Sequence, residues 1–197
     1  MALVLDGTNG VSLVQDGVVQ TADLANNAVT SAKMFSGFAN GISEADQWRL
    51  NADLVLSTTA KTVLSSNLER VDTGGMNYIG TGMTQSSGIF TFPSTGIWLI
   101  TANYTFYRPG STANISGYID TTVNNSSYSA AAVTQISINQ VSGNTFAAGT
   151  CMFMFDVSDT STHKVRFSAE TVATSPTVQG GNSNNVTVFT FMRLGDT

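Results

Sequence analysis

Several stretches of this chain are apolar on both faces of a would-be strand. Side chains alternate between the two faces of a strand, so a strand with one face in water carries one polar set. In residues 96–107, GIWLITANYTFY, one face is apolar throughout and the other starts apolar at Ile97 and Leu99 before turning polar. Residues 150–157, TCMFMFDV, and 186–194, VTVFTFMRL, show the same double pattern. These strands need cover on two sides.

Residues 164–171 behave differently, because they alternate cleanly between apolar and polar. Val165, Phe167 and Ala169 share one face of the expected strand. The other face carries Lys164, Arg166, Ser168 and Glu170. This pattern predicts a strand at the outside of the protein, with its polar face in water.

From residue 43 onward, short strands separated by turn signals dominate. The expected strands are 47–56, 62–71, 89–92, 96–107, 115–123, 133–141, 150–157, 164–171 and 186–194. Residues 43–46 offer a weak helix-capping box, yet the even spacing of Trp48, Leu50, Leu54 and Leu56 favours a strand there. Almost no helix is expected. Many short strands at this spacing predict an all-β, antiparallel sandwich or jelly roll.

The first forty or so residues differ from the rest in composition and in hydrophobic pattern. Asp16-Gly17 lies between two short alternating stretches, which favours a two-residue type I′ hairpin. The following residues are small and polar, could form a short helical turn at 22–26, and hold too few large apolar groups for a core. We therefore divide the chain into an extended N-terminal arm, 1–42, and a jelly-roll domain, 43–197. Such an arm is ordered by its own copies or by a docking surface.

The doubly apolar strands predict an oligomer. A sandwich has two sheets, and each buries only its inner face against the other. The second apolar face must then meet another copy of the chain. The residues expected at this interface are Trp98, Ile100, Tyr104, Phe106, Phe153, Phe155, Phe189 and Phe191.

Composition and charge narrow the possible functions. Eight basic and 13 acidic residues give the 197-residue chain a formal charge of −5, and the scattered basic residues argue against a nucleic-acid partner. One cysteine excludes an internal disulfide framework and any multi-cysteine zinc site. Neither a signal peptide nor a membrane-spanning apolar stretch is visible. We expect a soluble protein without membrane insertion.

Candidate chemistry is sparse. His163, the single histidine, lies near Asp156, Asp159 and Ser161 in what reads as a polar turn, so we predict no enzyme and no catalytic residue. The same groups on a flexible loop are a weak metal signal, and we predict neither a metal nor a cofactor. Cys151, within an apolar strand, is expected to be a core residue.

Two stretches carry a family resemblance. Residues 86–106, SSGIFTFPSTGIWLITANYTF, are similar to the central signature of the C1q/tumour-necrosis-factor-like jelly rolls, in which a Gly-Phe-Thr strand, a proline and a Gly-aromatic strand follow one another. The matching positions are Gly88, Phe90, Thr91, Phe92, Pro93, Gly96, Ile97 and Trp98. The closing strand, NNVTVFTFMRLGD, is similar to the last strand of that family. The resemblance implies a homotrimer with aromatic residues along its three-fold axis.

The whole chain also resembles small fibre proteins of tailed bacteriophages. MALVLDGTNGVS is similar to their start, GVVQTADLANNAVTSAK to their connector, and ADQWRL, NLERVD and YIGTGMTQSSGIFTFPSTGIW to the beginning of their knob. This resemblance implies a trimeric virion appendage, made in the host cytoplasm, whose arm docks on other virion proteins. The expected docking residues are Leu3, Leu5, Val11, Leu13 and Val18.

Loops held by a rigid sandwich are the expected recognition surface. Asn and Tyr suit polyol ligands through paired donors and acceptors and a flat ring. The candidates for binding a host-surface glycan or protein are Arg108, Asn114, Asn124, Asn125, Tyr128, Asn182, Asn184 and Asn185. The leading hypothesis is a tail fibre that attaches to the host. A capsid fibre or decoration protein, and a carbohydrate-binding module, remain the alternatives.

Overall fold

The computed structural model describes residues 41–75, 77–172 and 175–197, together with Val29 and the backbone of two short strands near the N-terminus. The strands are β1 Leu5–Asp6, β2 Gly10–Val11, β3 Ala45–Leu50, β4 Leu54–Val55, β5 Thr62–Val63, β6 Leu68–Arg70, β7 Thr84–Ser86, β8 Ile89–Thr91, β9 Gly96–Arg108, β10 Thr112–Thr122, β11 Ser129–Ile138, β12 Thr145–Val157, β13 Lys164–Thr171, β14 Thr177–Val178 and β15 Val188–Gly195. Within these ranges there is no helix.

The chain separates into two compact units, residues 1–41 and 42–197. In the first unit β1 and β2 pair antiparallel, with Leu5 opposite Val11. The expected hairpin turn at Asp16-Gly17 and helical turn at 22–26 lie outside the described residues. Of the expected docking residues, Leu3, Leu13 and Val18 also lie outside them.

The second unit is built from two antiparallel sheets. A six-stranded sheet has the order β11-β10-β13-β8-β7, with β5 paired to β13. A seven-stranded sheet runs β4-β14-β9-β15-β3-β6, with β12 paired to β9. The long strand β9 pairs with β12 over all 13 residues. Its other edge pairs first with β15 and then with β14.

The core lies between the two sheets. This arrangement of antiparallel sheets confirms the predicted jelly roll. Alternate residues of β9, from Trp98 to Phe106, are at most 1% exposed. Across the interior, the Phe167 and Phe189 rings of the two sheets stack with centroids 3.8 Å apart. Burial of each such aromatic side chain stabilises the folded state by about 1.5–3 kcal/mol relative to leaving it exposed.

Two expected strands are interrupted in the structure. The predicted strand 47–56 divides into β3 and β4. Between them Asp53 turns its carboxylate to the Tyr107 hydroxyl, at 2.7 Å, and the Gly180 amide, at 2.9 Å. The predicted strand 62–71 divides into β5 and β6, which belong to different sheets. Asn67 adopts a left-handed backbone, with φ 59°, between them. Both predictions were wrong, because each predicted strand is continuous in its sequence pattern but is interrupted by contacts with residues elsewhere in the chain.

Candidate functional site

One face of the seven-stranded sheet is apolar and open. We call this the open face: it carries Ile97 and Leu99 of β9, Met152 and Met154 of β12, and Met192 of β15. Leu99 lies directly between Met154 and Met192 in the strand register. Met152 and Met154 are each 63% exposed. A cluster of large apolar side chains in this setting is typical of an interaction surface.

The open face turns polar further along the strands and then apolar again. Thr150 donates a hydrogen bond of 2.8 Å from its hydroxyl to Asn103 Oδ1, and Thr101 lies opposite both Met152 and Thr190. At the far end the Tyr107 and Phe146 rings lie 5.3 Å apart, and Phe146 is 55% exposed. The open face therefore has two apolar ends joined by a belt of hydroxyl and amide groups.

The eight residues expected at an oligomer interface lie on the opposite side of these same strands. Phe155 is 6% exposed, and Phe153 is partly buried against the core. The other six are at most 1% exposed: Trp98, Ile100, Tyr104, Phe106, Phe189 and Phe191. This expectation was wrong, because a side chain enclosed by its own chain cannot contact another. An alternating pattern separates two faces but does not say which one looks inward.

The expected ligand-binding loop residues do not converge on one site. Arg108 ends β9 and donates to the Ser111 carbonyl, whereas Asn124 follows β10 and accepts a bond of 2.9 Å from the Ser127 amide. The 11 residues of β10 separate these ends by roughly 35 Å. Asn114 lies within β10 rather than in a loop. The remaining asparagines, Asn182, Asn184 and Asn185, follow β14 before β15, where Asn185 donates to Gln47 at 2.8 Å.

The polar face of the six-stranded sheet is largely buried. Lys164, expected to face water, is 8% exposed, Ser168 is fully buried, and the neighbouring Asp120 on β10 is 1% exposed. Asp120 forms an ion pair with Lys61 and accepts a 2.6 Å bond from the Ser168 hydroxyl, and Arg166 Nε lies 3.7 Å away. Burying a charge is tolerated when it is paired and hydrogen-bonded in this way. The expectation that this face is solvated was wrong.

Cations from two elements stack on aromatic rings over this polar face. Lys61 Nζ lies 4.0 Å from the centre of the Tyr118 ring, and the Arg166 guanidinium lies 4.1 Å from that of Tyr128. Burial, followed by the hydrogen bond to Glu170, raises the pKa of Tyr118. Burial also raises the pKa of Tyr128. These stacked pairs cover part of the polar face of the six-stranded sheet, which the sequence pattern predicts to be in water.

A polar cleft of about 660 Å³ opens beside this face, where β7, β8 and the start of β13 meet the turn after β10. Its lining is Thr84, Gln85, Ser86, Ser87, Ile89, Thr91, Asn125 and Lys164. Seven of these eight side chains are polar. Asn125 is the one expected loop residue that lines this cleft. The sequence did not indicate the others, because β7 is too short to show a pattern and the rest of the lining comes from segments far apart in sequence.

The groups considered for catalysis are engaged in local contacts. His163 lies 3.3 Å from the Ser158 hydroxyl and 3.0 Å from the Thr162 hydroxyl, and its ring packs on Phe155. Cys151 is buried, and this burial raises the pKa of its thiol to about 11. Across the described part of the chain, no group of three or more His, Cys, Asp or Glu side chains is placed to hold a metal ion.

Two antiparallel sheets with a shared aromatic core define a jelly-roll domain, and solved structures show its type. No protein-family model and no curated protein matches the chain. The structure of Eiger, a tumour necrosis factor from S. frugiperda, is similar with a TM-score of 0.51 and 11% identity, over 78% of this chain and 93% of that one. Murine APRIL is similar with a TM-score of 0.50 and 11% identity, over 77% and 98%. The chain therefore has a tumour-necrosis-factor-like jelly-roll fold.

Proposed function

We propose that this chain is a structural virion protein of a tailed bacteriophage: a homotrimeric tail fibre whose jelly roll attaches to the host surface. The resemblance of its arm, connector and knob sequences to phage fibre proteins suggests the virion. The open face of the seven-stranded sheet is the observation that supports assembly. The proposed role is binding, without chemistry.

Further copies of the same chain are the occupants we propose for the open face. It exposes the large apolar side chains Phe146, Met152 and Met154. Permanent interfaces between protein chains are rich in such side chains, as protein cores are. Between these exposed side chains lie hydroxyl and amide groups that both donate and accept, so identical residues from three copies can pair around an axis. Asp156 is the only acidic side chain that β9 and β12, both fully described, contribute to this sheet face. Few like charges would thus oppose self-association.

The N-terminal unit is the proposed attachment to the virion. Residues 1–41 form a unit of their own, and the stretch after Asp16-Gly17 is too poor in large apolar groups to support a core. We place the docking contact with other virion proteins on its apolar positions, among them Leu5 and Val11. The jelly roll then projects from the particle.

Sedimentation equilibrium of the full chain and of a Met152→Lys/Met154→Lys variant tests the assembly. We expect a trimer for the native chain and a monomer for the variant, because three copies of two ammonium groups would be buried together. Val141, which is 89% exposed on the β11–β12 connection, gives the control: Val141→Lys should stay trimeric. A native chain that sediments as a monomer would contradict the proposal.

A further inference from the structure

Lys164 is a buried cation that lacks a counter-ion. The residue is 8% exposed, yet no carboxylate of the described residues lies within ion-pair distance of its ammonium. Two of its three N–H donors are used, one by the Thr91 hydroxyl at 3.1 Å and one by the Thr160 carbonyl at 2.6 Å. Lysine is rarely buried unless it is paired. The third donor and the uncompensated charge both call for an anion.

The surroundings of Lys164 are those of a formed binding site. Thr84, Thr91, Lys164 and Thr122 stand in one cross-strand row over β7, β8, β13 and β10. The ammonium is held by its bonds to Thr91 of this row and to the Thr160 carbonyl, and Lys164 lines the polar cleft. The turn that closes the cleft is also held, because the Asn125 amide donates to the Thr162 carbonyl at 2.9 Å.

The cleft offers an anion further partners of one kind. Thr84, Ser86 and Ser87 contribute hydroxyls, and Gln85 and Asn125 contribute amides. These groups both donate and accept, which suits the hydroxyls of a sugar. The lining holds no carboxylate that would repel an acid. A volume of about 660 Å³ falls within the range of small-ligand sites.

We propose that this cleft binds an acidic saccharide, with the sugar carboxylate on Lys164 and the sugar hydroxyls on the Ser, Thr and amide side chains. The inference rests on the proposed host attachment and gives it a ligand class. A single cation among neutral polar groups favours one carboxylate on a polyhydroxyl unit over a nucleic acid or a polyphosphate, which need several cations.

Isothermal titration of the full chain with glucuronic acid, glucose and inorganic phosphate tests the cleft. We expect glucuronic acid to bind, and glucose and phosphate each to bind at least about tenfold more weakly. Glucose lacks the carboxylate, and phosphate lacks the sugar hydroxyls. Lys164→Gln should weaken glucuronic acid by a similar factor. Arg193→Gln removes the same charge from β15 of the other sheet and should leave the affinity unchanged.

Ser86→Trp keeps the ammonium and fills the cleft from an exposed strand position. It should abolish glucuronic acid binding, and it provides the test if Lys164→Gln does not fold. Equal affinity for glucuronic acid and glucose, or for glucuronic acid and phosphate, would overturn the inference. Sedimentation of the same samples separates the two proposals: a trimer that does not bind glucuronic acid contradicts the cleft alone, whereas a monomer contradicts the fibre.

Discussion

At the scale of single residues, one glycine permits a close approach between the two sheets. Gly117 on β10 lies against the buried Tyr104 ring of β9, and a Cβ built on it would lie 2.4 Å from a ring carbon. The ring cannot move away easily, because its hydroxyl donates to the Tyr118 carbonyl at 2.6 Å. The absence of a side chain at this position therefore lets an aromatic residue fill the core.

Gly117→Ala should destabilise the domain by about 1–3 kcal/mol, through overpacking against Tyr104. Urea unfolding of the variant and of the native chain measures the loss. Gly195→Ala is the matched control, since a Cβ there meets nothing within 4 Å. Equal unfolding free energies for Gly117→Ala and the native protein would show that the two sheets can separate at no cost.

At the scale of elements, the polar layer of the six-stranded sheet ties β10 and β13 to the loop before β5. Asp120 of β10 is the shared partner, since it accepts a hydrogen bond from Ser168, pairs with Lys61 of the loop and lies within ion-pair distance of Arg166 on β13. A loop residue distant in sequence thus closes over a sheet face. This is why strand β13, with a pattern typical of solvent exposure, is enclosed.

Asp120→Ala should lower the free energy of unfolding by about 1–3 kcal/mol, because it removes the acceptor of the buried Ser168 hydroxyl. Water can hydrate Lys61 and Arg166 in its place, since their side chains are 32% and 29% exposed. Lys61→Met should cost more, about 3 kcal/mol, because it leaves the Asp120 carboxylate, which is 1% exposed, with Arg166 at 3.7 Å as its remaining cation. Chemical denaturation at neutral pH compares both variants. An equal or smaller loss for Lys61→Met than for Asp120→Ala would contradict the need to compensate this buried carboxylate.

At the scale of the whole molecule, the proposal joins a docking unit to a trimeric jelly roll on a virion. Antibody against the jelly roll, bound to virions and viewed by negative staining, should label the tail tip if the chain is a tail fibre. Label distributed over the head would instead favour the capsid-fibre alternative. Absence of label from particles that are shown to carry the chain in denaturing gels would contradict an exposed jelly roll in either position.

Much of the fold could be predicted because the signal is local. The strands from Ile89 to Thr91, Gly96 to Arg108 and Lys164 to Thr171 agree closely with expectation, since alternation and turn residues lie within each segment. The short strands β7 and β14 escaped, because two or three residues carry no periodicity. The cleft escaped with them, since part of its wall is β7 and the rest comes from segments far apart in sequence.

The sequence by itself determined the all-β class, most of the strands and the separation of each strand into two faces, because these depend on neighbours along the chain. Only the tertiary structure decided which face of β9, β12 and β15 forms the core and which stays open. It also decided that the polar residues of β13 are covered and that Lys164 is buried without a counter-ion. The physical reason is the same in each case: burial is set by what packs against a residue from elsewhere in the chain, and a local pattern does not contain that partner.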